Sequence, residues 1–234
     1  MNPIKRLLGM APTPDETGRG YIPSPLGRLL GVAKKTDYEP VDYGVRAYDG
    51  DKRILVLCTE ERYFEMTNGN LFSTGQNAQE TAVPLMHLTA AGFDFDVVTP
   101  TGAPAVIEEW SAPSKDEAVL NFLANQRAAF DQPLSLRDLV ADGGLGDDSP
   151  YVALFLPGGH GALALAAGET IYIAHLKPFK PHQVQHLFYA TVYTFPGLFF
   201  QLQRKGHIIK YIFMREKRKV LKHQSETATM GGHV

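Results

Sequence analysis

The run from Leu154 to Leu163 constrains this chain more than any other segment, because it is typical of a buried strand that leads through a glycine-rich turn into a helix. The apolar segment beginning at Tyr151 supplies the strand, and Pro157 ends its hydrogen-bond ladder. Glycines such as Gly158 and Gly159 let backbone N–H groups approach a ligand that a side chain would exclude. The turn therefore predicts a pocket for an anion or an oxyanion.

Composition bounds the class of protein. With 234 residues and 44% hydrophobic content, the chain can form one domain with a large core, although length alone does not exclude two. The single cysteine, Cys58, excludes an intramolecular disulfide and fits a reducing compartment. The first ten residues lack the apolar run of a secretory signal. We therefore expect a soluble, cytoplasmic protein.

The order of elements predicts the fold class and three regions. Residues 1–51 form an arm whose prolines are spaced too closely for long helices or paired strands. An α/β domain follows over residues 52–168, and residues 169–234 form a separate tail. Within the domain, the pattern predicts strands at 53–58 and 93–99 and from 151, and helices at 80–91, 115–130 and 136–140. This order is typical of a doubly wound parallel sheet.

Such sheets bind ligands beyond the carboxyl ends of their strands. Residues 58–61, Glu80 and the turn Gly158–Gly161 should meet at that edge. A carboxylate beside an anion pocket is a candidate general acid or base. Spacing leaves a second interpretation of Glu80 open, in which it is a helix N-terminal carboxylate favoured by the helix dipole.

Several motifs, in the same order, carry a resemblance over residues 20–166. They are ILVLCTEERY (54–63), TNGNLFSTG (67–75), ETAVPLMHL (80–88), AGFDFDV (91–97) and FLPGGHGAL (155–163). These segments resemble the HchA-type branch of the ThiJ/PfpI superfamily, which comprises heat-inducible chaperones described as glyoxalase III and as protein deglycases. The resemblance implies a flavodoxin-like doubly wound parallel sheet of the class I glutamine amidotransferase-like type.

The resemblance also implies roles for matching residues. Glu80 matches a glutamate that shares a hydrogen bond with a nucleophilic cysteine, and Gly158 and Gly159 match part of an oxyanion hole. His160 either donates to a ligand from the same turn or caps the helix start. The implied substrates are a small 2-oxoaldehyde or a glycated molecule, and the implied partners are a second copy in a homodimer and unfolded client proteins. No specific nucleic acid is expected.

The chain departs from the family pattern at the nucleophile. The family cysteine lies in a Cys-His-Gly-Pro elbow after the glycine turn, and no cysteine follows Cys58 here. Cys58 is therefore either an improvised nucleophile or, as we favour, a small buried core residue. Without an elbow thiol we expect this chain to be catalytically inactive.

The metal-binding positions depart as well. The family positions match Thr89, Asp94 and Gln126, a set that lacks the nitrogen and sulfur donors of zinc, so we expect no metal and no cofactor. His87 and Trp110 are interpreted as packing residues, with a catalytic role for His87 as the minor alternative.

The tail differs from everything before it. Residues 1–169 carry 13 basic and 23 acidic residues, whereas residues 170–234 carry 10 and 2. A basic, aromatic segment at 204–222 is of a kind that binds membranes or nucleic acids. The uncharged stretch 186–203 is short for a spanning helix and is interrupted by Pro196-Gly197.

No strand pattern continues the sheet into this tail, so we expect a sheet that is incomplete at its C-terminal side and poorly soluble. Our hypothesis is a frameshift, retained intron or alternative exon at residues 166–170. A genuine lineage-specific tail is the alternative.

Overall fold

The described part of the chain contains eleven strands and six α-helices. The structure is a computed structural model that describes residues 3–145, 148–161 and 186–189. In chain order the strands are β1 (Thr13–Pro14), β2 (Tyr21–Ile22), β3 (Arg53–Leu57), β4 (Tyr63–Glu65), β5 (Leu71–Ser73), β6 (Gln76–Asn77), β7 (Phe95–Thr99), β8 (Ile107–Glu108), β9 (Leu134–Ser135), β10 (Tyr151–Leu156) and β11 (His186–Tyr189). The helices are α1 (Pro3–Leu7), α2 (Pro25–Gly31), α3 (Ala78–Ala90), α4 (Glu117–Asn125), α5 (Arg127–Asp131) and α6 (Leu136–Ala141).

The central sheet has the strand order β11-β10-β3-β7-β9, and every pairing in it is parallel. Alternate side chains of β3 enter two different cores: Ile54 and Val56 pack on one face, and Leu55 and Leu57 pack on the other. Burial on both faces explains why the strand sequence is continuously apolar. Because β3 lies between β7 and β10, the predicted flavodoxin-like doubly wound α/β class is confirmed.

Helix α3 covers one face of the sheet and positions the candidate site. It begins at Asn77, whose side-chain oxygen accepts hydrogen bonds from the N–H groups of Gln79 and Glu80. Leu85 joins the strand core on that face, and α4 packs behind α3. On the opposite face, Leu136 of α6 packs against the second core.

The predicted helix at 115–130 is interrupted. Gln126 ends α4, donating its N–H to the Phe122 carbonyl, and also precedes α5 with a ψ angle near zero. The change of direction lets Phe130 reach the sheet core, where it is 3% exposed. Core burial therefore overrides the continuous helical pattern of the sequence.

The predicted loop and arm contain short strands. Strands β4 and β5 form a hairpin around Asn68-Gly69, where Gly69 has a φ of +75°. In the arm, β1 and β2 pair antiparallel, and Tyr21 pairs with Phe72 of β5. The expectation that the arm has no paired strands is wrong here, because a two-residue strand tolerates Pro14 at its end.

One strand comes from the predicted tail. Residues His186–Tyr189 pair with β10 in parallel register, from Ala153 opposite His186 to Leu156 opposite Tyr189. The expectation that no strand continues the sheet is wrong for these four residues, because β10 offers an open parallel edge to any extended segment. The predicted basic segment at 204–222, the uncharged stretch apart from 186–189 and the predicted break at 166–170 lie outside the described residues. Among the helices that the structure describes, none has the length and apolar character to cross a bilayer.

Candidate functional site at the carboxyl edge of the sheet

The segment Gly75–Asn77 is the centre of the site. On one side, β6 pairs with β8, which sets Asn77 opposite Glu108. On the other side, the glycine turn closes against the same segment: Asn77 N–H donates to the Gly158 carbonyl at 2.8 Å, and Gly161 N–H donates to the Gly75 carbonyl at 2.7 Å. These backbone pairings bring α3, β8 and the glycine turn together.

The close packing explains two of the turn glycines. Gly159 has a φ of +128°, and a Cβ there would overlap the backbone of Gly75–Asn77. At Gly161 a Cβ would lie 2.7 Å from the Gly75 carbonyl oxygen. No side chain fits at either position, so the turn requires glycine for its packing as well as for ligand approach.

Glu108 and His160 form a buried carboxyl–imidazole pair. Glu108 Oε1 accepts a hydrogen bond from the His160 backbone N–H at 3.1 Å and lies 2.9 Å from the ring Nδ1. The Glu108 side chain is fully buried, and its hydrogen bond raises the pKa of His160 above the usual range. Nδ1 is thus placed to donate to Glu108, which leaves Nε2 as the ring nitrogen that can act on a ligand.

Two aromatic rings hold the imidazole from the side. Phe72 packs edge-on against His160 with ring centroids 5.1 Å apart, and the Trp110 centroid lies 5.7 Å away. Trp110 also contacts Phe72, which agrees with its interpretation as a packing residue. Phe72 of the β4–β5 hairpin, Glu108 of β8 and the glycine turn together fix the orientation of the His160 ring.

Glu80 lies in the first turn of α3, and the same cluster changes its pKa. Burial raises the pKa of Glu80 to about 7, the negative charge of Glu108 adds to the rise, and His160 opposes it. Burial therefore outweighs the helix dipole, which alone would favour the carboxylate. Glu80 Oε2 is buried without a hydrogen-bond partner among the described residues. The group can gain or lose a proton near neutral pH.

The turn also supplies backbone donors. Within the described residues, the N–H groups of Gly158 and Gly159 have no hydrogen-bond acceptor, whereas those of His160 and Gly161 are paired. Two adjacent unpaired N–H groups are the arrangement that an oxyanion requires.

Cys58 follows β3 and is completely buried. It belongs to the strand core with Ile54 and Phe155, and burial raises the pKa of its thiol well above the usual range. A thiol in these surroundings stays protonated and inert. The structure agrees with the interpretation of Cys58 as a core residue.

The three positions that match the family metal ligands, Thr89, Asp94 and Gln126, lie in different parts of the structure. Asp94 forms an ion pair with Arg53 at 3.2 Å, just before β7 at the amino-terminal edge of the sheet. Thr89 lies exposed near the end of α3, and Gln126 joins α4 to α5. In the part of the chain that the structure describes, no three His, Cys, Asp or Glu side chains are grouped to hold a metal ion. His87 packs against Tyr38 with centroids 4.9 Å apart, as a packing role predicts.

A cavity of about 390 Å³ lies next to the cluster, between the arm and β8. Its walls include Arg28, Arg62, Thr74, Glu108 and Trp110. Glu108 therefore separates this cavity from the turn that holds His160.

Sequence reasoning missed Glu108. The only signal in the sequence was that two adjacent glutamates precede Trp110 in an otherwise apolar segment. This pattern does not show which glutamate is buried and which is exposed. Only the β6–β8 pairing shows that Glu108 is the buried member and Glu109 the exposed one.

Comparison with known proteins gives close sequence relatives. The chain is 43% identical over 154 residues to the protein/nucleic acid deglycase HchA of Pseudomonas aeruginosa, a match that covers 65% of this chain and 52% of the relative. It is 40% identical over 157 residues to HchA of Staphylococcus aureus, covering 67% and 53%. The chain thus spans about half the length of the curated relatives it matches. No family model matches the chain.

Solved structures are more distant. Glyoxalase III from Candida albicans is 16% identical with a TM-score of 0.45, covering 59% of this chain and 56% of that protein. The rapid encystment protein of Francisella tularensis is 19% identical with a TM-score of 0.46, covering 59% and 57%.

The sequence identity to the bacterial deglycases and the doubly wound parallel sheet agree with the motifs at 54–63, 67–75 and 155–163. On these grounds the chain is similar, over the residues it shares with those relatives, to the HchA-type branch of the ThiJ/PfpI superfamily.

Proposed function

We propose that this chain carries the acid–base half of a deglycase-like or glyoxalase III-like site. The observation that carries the proposal is the buried Glu80 carboxyl, with a pKa of about 7, beside the glycine turn and the Glu108–His160 pair. The names of the relatives suggest one substrate class, a glycated protein or nucleic acid. The resemblance of the motifs implies the other, a small 2-oxoaldehyde such as methylglyoxal that is converted to a hydroxy acid.

Each residue has a distinct role in this proposal. Glu80 exchanges a proton with the substrate, because a group with a pKa near the working pH is an efficient acid and base. The N–H groups of Gly158 and Gly159 bind the oxyanion of the substrate. His160 donates from Nε2 to the same oxygen, and Glu108 is the positioning residue that holds the imidazole.

The chain lacks an accessible thiol, so we propose that it does not catalyse the covalent reaction. Formation of a thiohemiacetal requires a thiolate in contact with the substrate carbonyl. The sole cysteine, Cys58, is fully buried in the strand core with a raised pKa.

Assay of the purified full chain with methylglyoxal, and with a glycated peptide, tests this proposal. We expect no lactate and no release of the free amine, in the wild type and in Cys58→Ser alike. Activity that disappears in Cys58→Ser would overturn the assignment of Cys58 as inert. Activity that persists in Cys58→Ser but disappears in Glu80→Gln would overturn the proposed inactivity while supporting the acid–base site.

The alternative is a non-catalytic, chaperone-like binding protein or the product of a frameshifted gene. The observation that favours it is the same lack of an accessible thiol in a chain that spans about half of its relatives. Suppression of client aggregation at stoichiometric amounts, with no turnover, would favour the binding protein. A Cys-His-Gly-Pro coding stretch in another frame downstream of residue 166 would favour the frameshift. Either version fits a cytoplasmic protein, with a homodimer as the assembly to examine by light scattering.

A further inference from the structure

The N-terminal arm exposes an unusual number of large apolar side chains. We call this surface the arm patch, and its members are Ile4, Leu7, Leu8, Met10, Leu26, Leu29 and Leu30. Leu7 is 88% exposed and Leu30 is 79% exposed. An exposed apolar surface of this kind marks an interaction site rather than ordinary surface composition.

The two short helices that carry most of the patch lie close together. Leu26 N–H donates to the Gly9 carbonyl at 2.9 Å, which ties the start of α2 to the end of α1. Arg28 holds α2 in place by donating to the Thr13 hydroxyl at 3.1 Å and to the Pro23 carbonyl at 2.7 Å. The exposed apolar side chains therefore lie on, or next to, two helices that are held together by hydrogen bonds.

In the described part of the chain, neither helix buries its large apolar side chains. Helix α2 has three leucines in seven residues and buries none of them. Every side chain described from Ile4 to Leu8 is also exposed. Helices this short are marginal in water unless an apolar face is packed, so the leucines indicate a partner that covers them.

The charges around the patch indicate the chemistry of that partner. Residues 1–36 hold six Lys or Arg and two acidic residues, Asp15 and Glu16, whereas residues 37–161 hold seven basic and twenty acidic residues. Lys5 and Arg6 lie within α1 among the apolar members of the patch. A cationic apolar surface on an acidic body complements an anionic layer that also accepts apolar side chains.

We propose that the arm patch docks on an anionic lipid surface. Its isoleucine, leucine and methionine side chains enter the acyl boundary, and Lys5 and Arg6 contact the lipid phosphates. The acidic residues of 37–161 are repelled by the same layer, which favours contact through the arm. A membrane contact of this kind lies beyond the proposed deglycase-like function and does not depend on it.

Other occupants fit the patch less well. A second copy docked arm to arm would bring Lys5 and Arg6 of both copies together. The remaining large apolar residues exposed in the described part come from three separate segments of the chain: Val41, Val45, Phe64, Met66 and Leu134. A nucleic acid would use the cations but would leave the aliphatic side chains uncovered, and the patch has no aromatic ring on which a base could stack.

Flotation of the full chain with vesicles tests the proposal. We expect binding to vesicles of three parts phosphatidylcholine to one part phosphatidylglycerol, weaker binding in about 0.5 M salt, and little binding to pure phosphatidylcholine. The double variant Leu7→Ser/Leu30→Ser and the charge variant Lys5→Glu/Arg6→Glu should each lower the bound fraction about tenfold.

The matched control is Val45→Ser/Leu134→Ser, which replaces two exposed apolar residues outside the patch and should bind as the wild type does. Basic residues at 204–222 offer a second cationic segment, so arm variants that bind like the wild type would overturn the proposal. Equal binding to both vesicle types, or a lipid-free dimer that Leu7→Ser/Leu30→Ser abolishes, would also overturn it. Melting temperatures equal to the wild type would show that the variants are folded.

Discussion

The two edges of the central sheet differ in whether their polar side chains have hydrogen-bond partners. At the amino-terminal edge, Arg53 donates to both carboxylate oxygens of Asp96, at 2.7 and 2.9 Å, and Tyr151 donates to the same carboxylate at 3.1 Å. At the carboxyl edge, Glu80 Oε2, Glu108 Oε2 and Gln76 Nε2 are buried without partners among the described residues. The paired edge stabilises the sheet, whereas the unpaired edge keeps hydrogen-bonding capacity for a ligand at a cost in stability.

The largest expected effect concerns the backbone that builds the carboxyl edge. We expect Gly159→Ala to destabilise the fold by about 3 kcal/mol or more, because the residue has a positive φ and its Cβ would overlap the Gly75–Asn77 backbone. Denaturant unfolding measures the change, with Gly143→Ala as control, since Gly143 also has a positive φ but has open space around it. Equal losses in the two variants would show that packing at the site adds nothing.

The next effect is a gain in stability that depends on pH. Glu80 has a folded-state pKa of about 7, against an ordinary value of 4.5. The unfolded chain therefore releases this proton at a lower pH than the folded chain, and the folded state loses stability as pH rises above 4.5. Glu80→Gln cannot ionise and should be more stable than the wild type, by about 2 kcal/mol more at pH 8 than at pH 5.

Thermal or urea unfolding at the two pH values checks this result. Glu117→Gln, at an exposed position in the first turn of α4, is the matched control and should show no such difference. A pH-independent difference for Glu80→Gln would contradict the buried, proton-exchanging carboxyl.

A smaller loss is expected at the amino-terminal edge. Asp96→Asn removes the ionic half of a bidentate contact to Arg53, a pair whose side chains are each about one third exposed. Solvent screening limits the expected cost to about 1 kcal/mol. If Asp96→Asn cost more than Gly159→Ala, the comparison between the two edges would have to be reversed.

The smallest change is spectroscopic. Glu108→Gln should lower the pKa of His160 towards the ordinary histidine value, because the carboxylate that favours the charged ring is gone. In the wild type the raised pKa stabilises the fold at low pH, and this contribution is lost as pH rises through the folded-state pKa of His160. NMR titration of the ring protons, assigned with a His160→Gln variant, measures the shift. An unchanged titration in Glu108→Gln would exclude Glu108 as the positioning residue.

Local signals predicted the parts of the fold whose pattern is continuous. The apolar runs of β3 and β10 are read directly from residue type, because burial on two faces requires an unbroken apolar strand. The helical pattern at 80–91 predicted α3 but not its start at Ala78 or its cap, Asn77. The interruption at Gln126 could not be read, since the helical pattern continues across it and only the sheet core determines where Phe130 is buried. The short strands of the arm, β6 and β8 are two residues long, which is too short to leave a periodic signal.

The sequence by itself determined the chemistry available to this protein: one cysteine, a glycine turn after a buried strand, a glutamate at a helix start, and a basic arm on an acidic body. The tertiary structure decided which groups meet. It buried Cys58 in the strand core, selected Glu108 over Glu109 as the partner of His160, and left the leucines of α2 exposed. Composition and spacing define which residue types are present and in what order. Burial and pairing depend on contacts between segments that are distant in the chain.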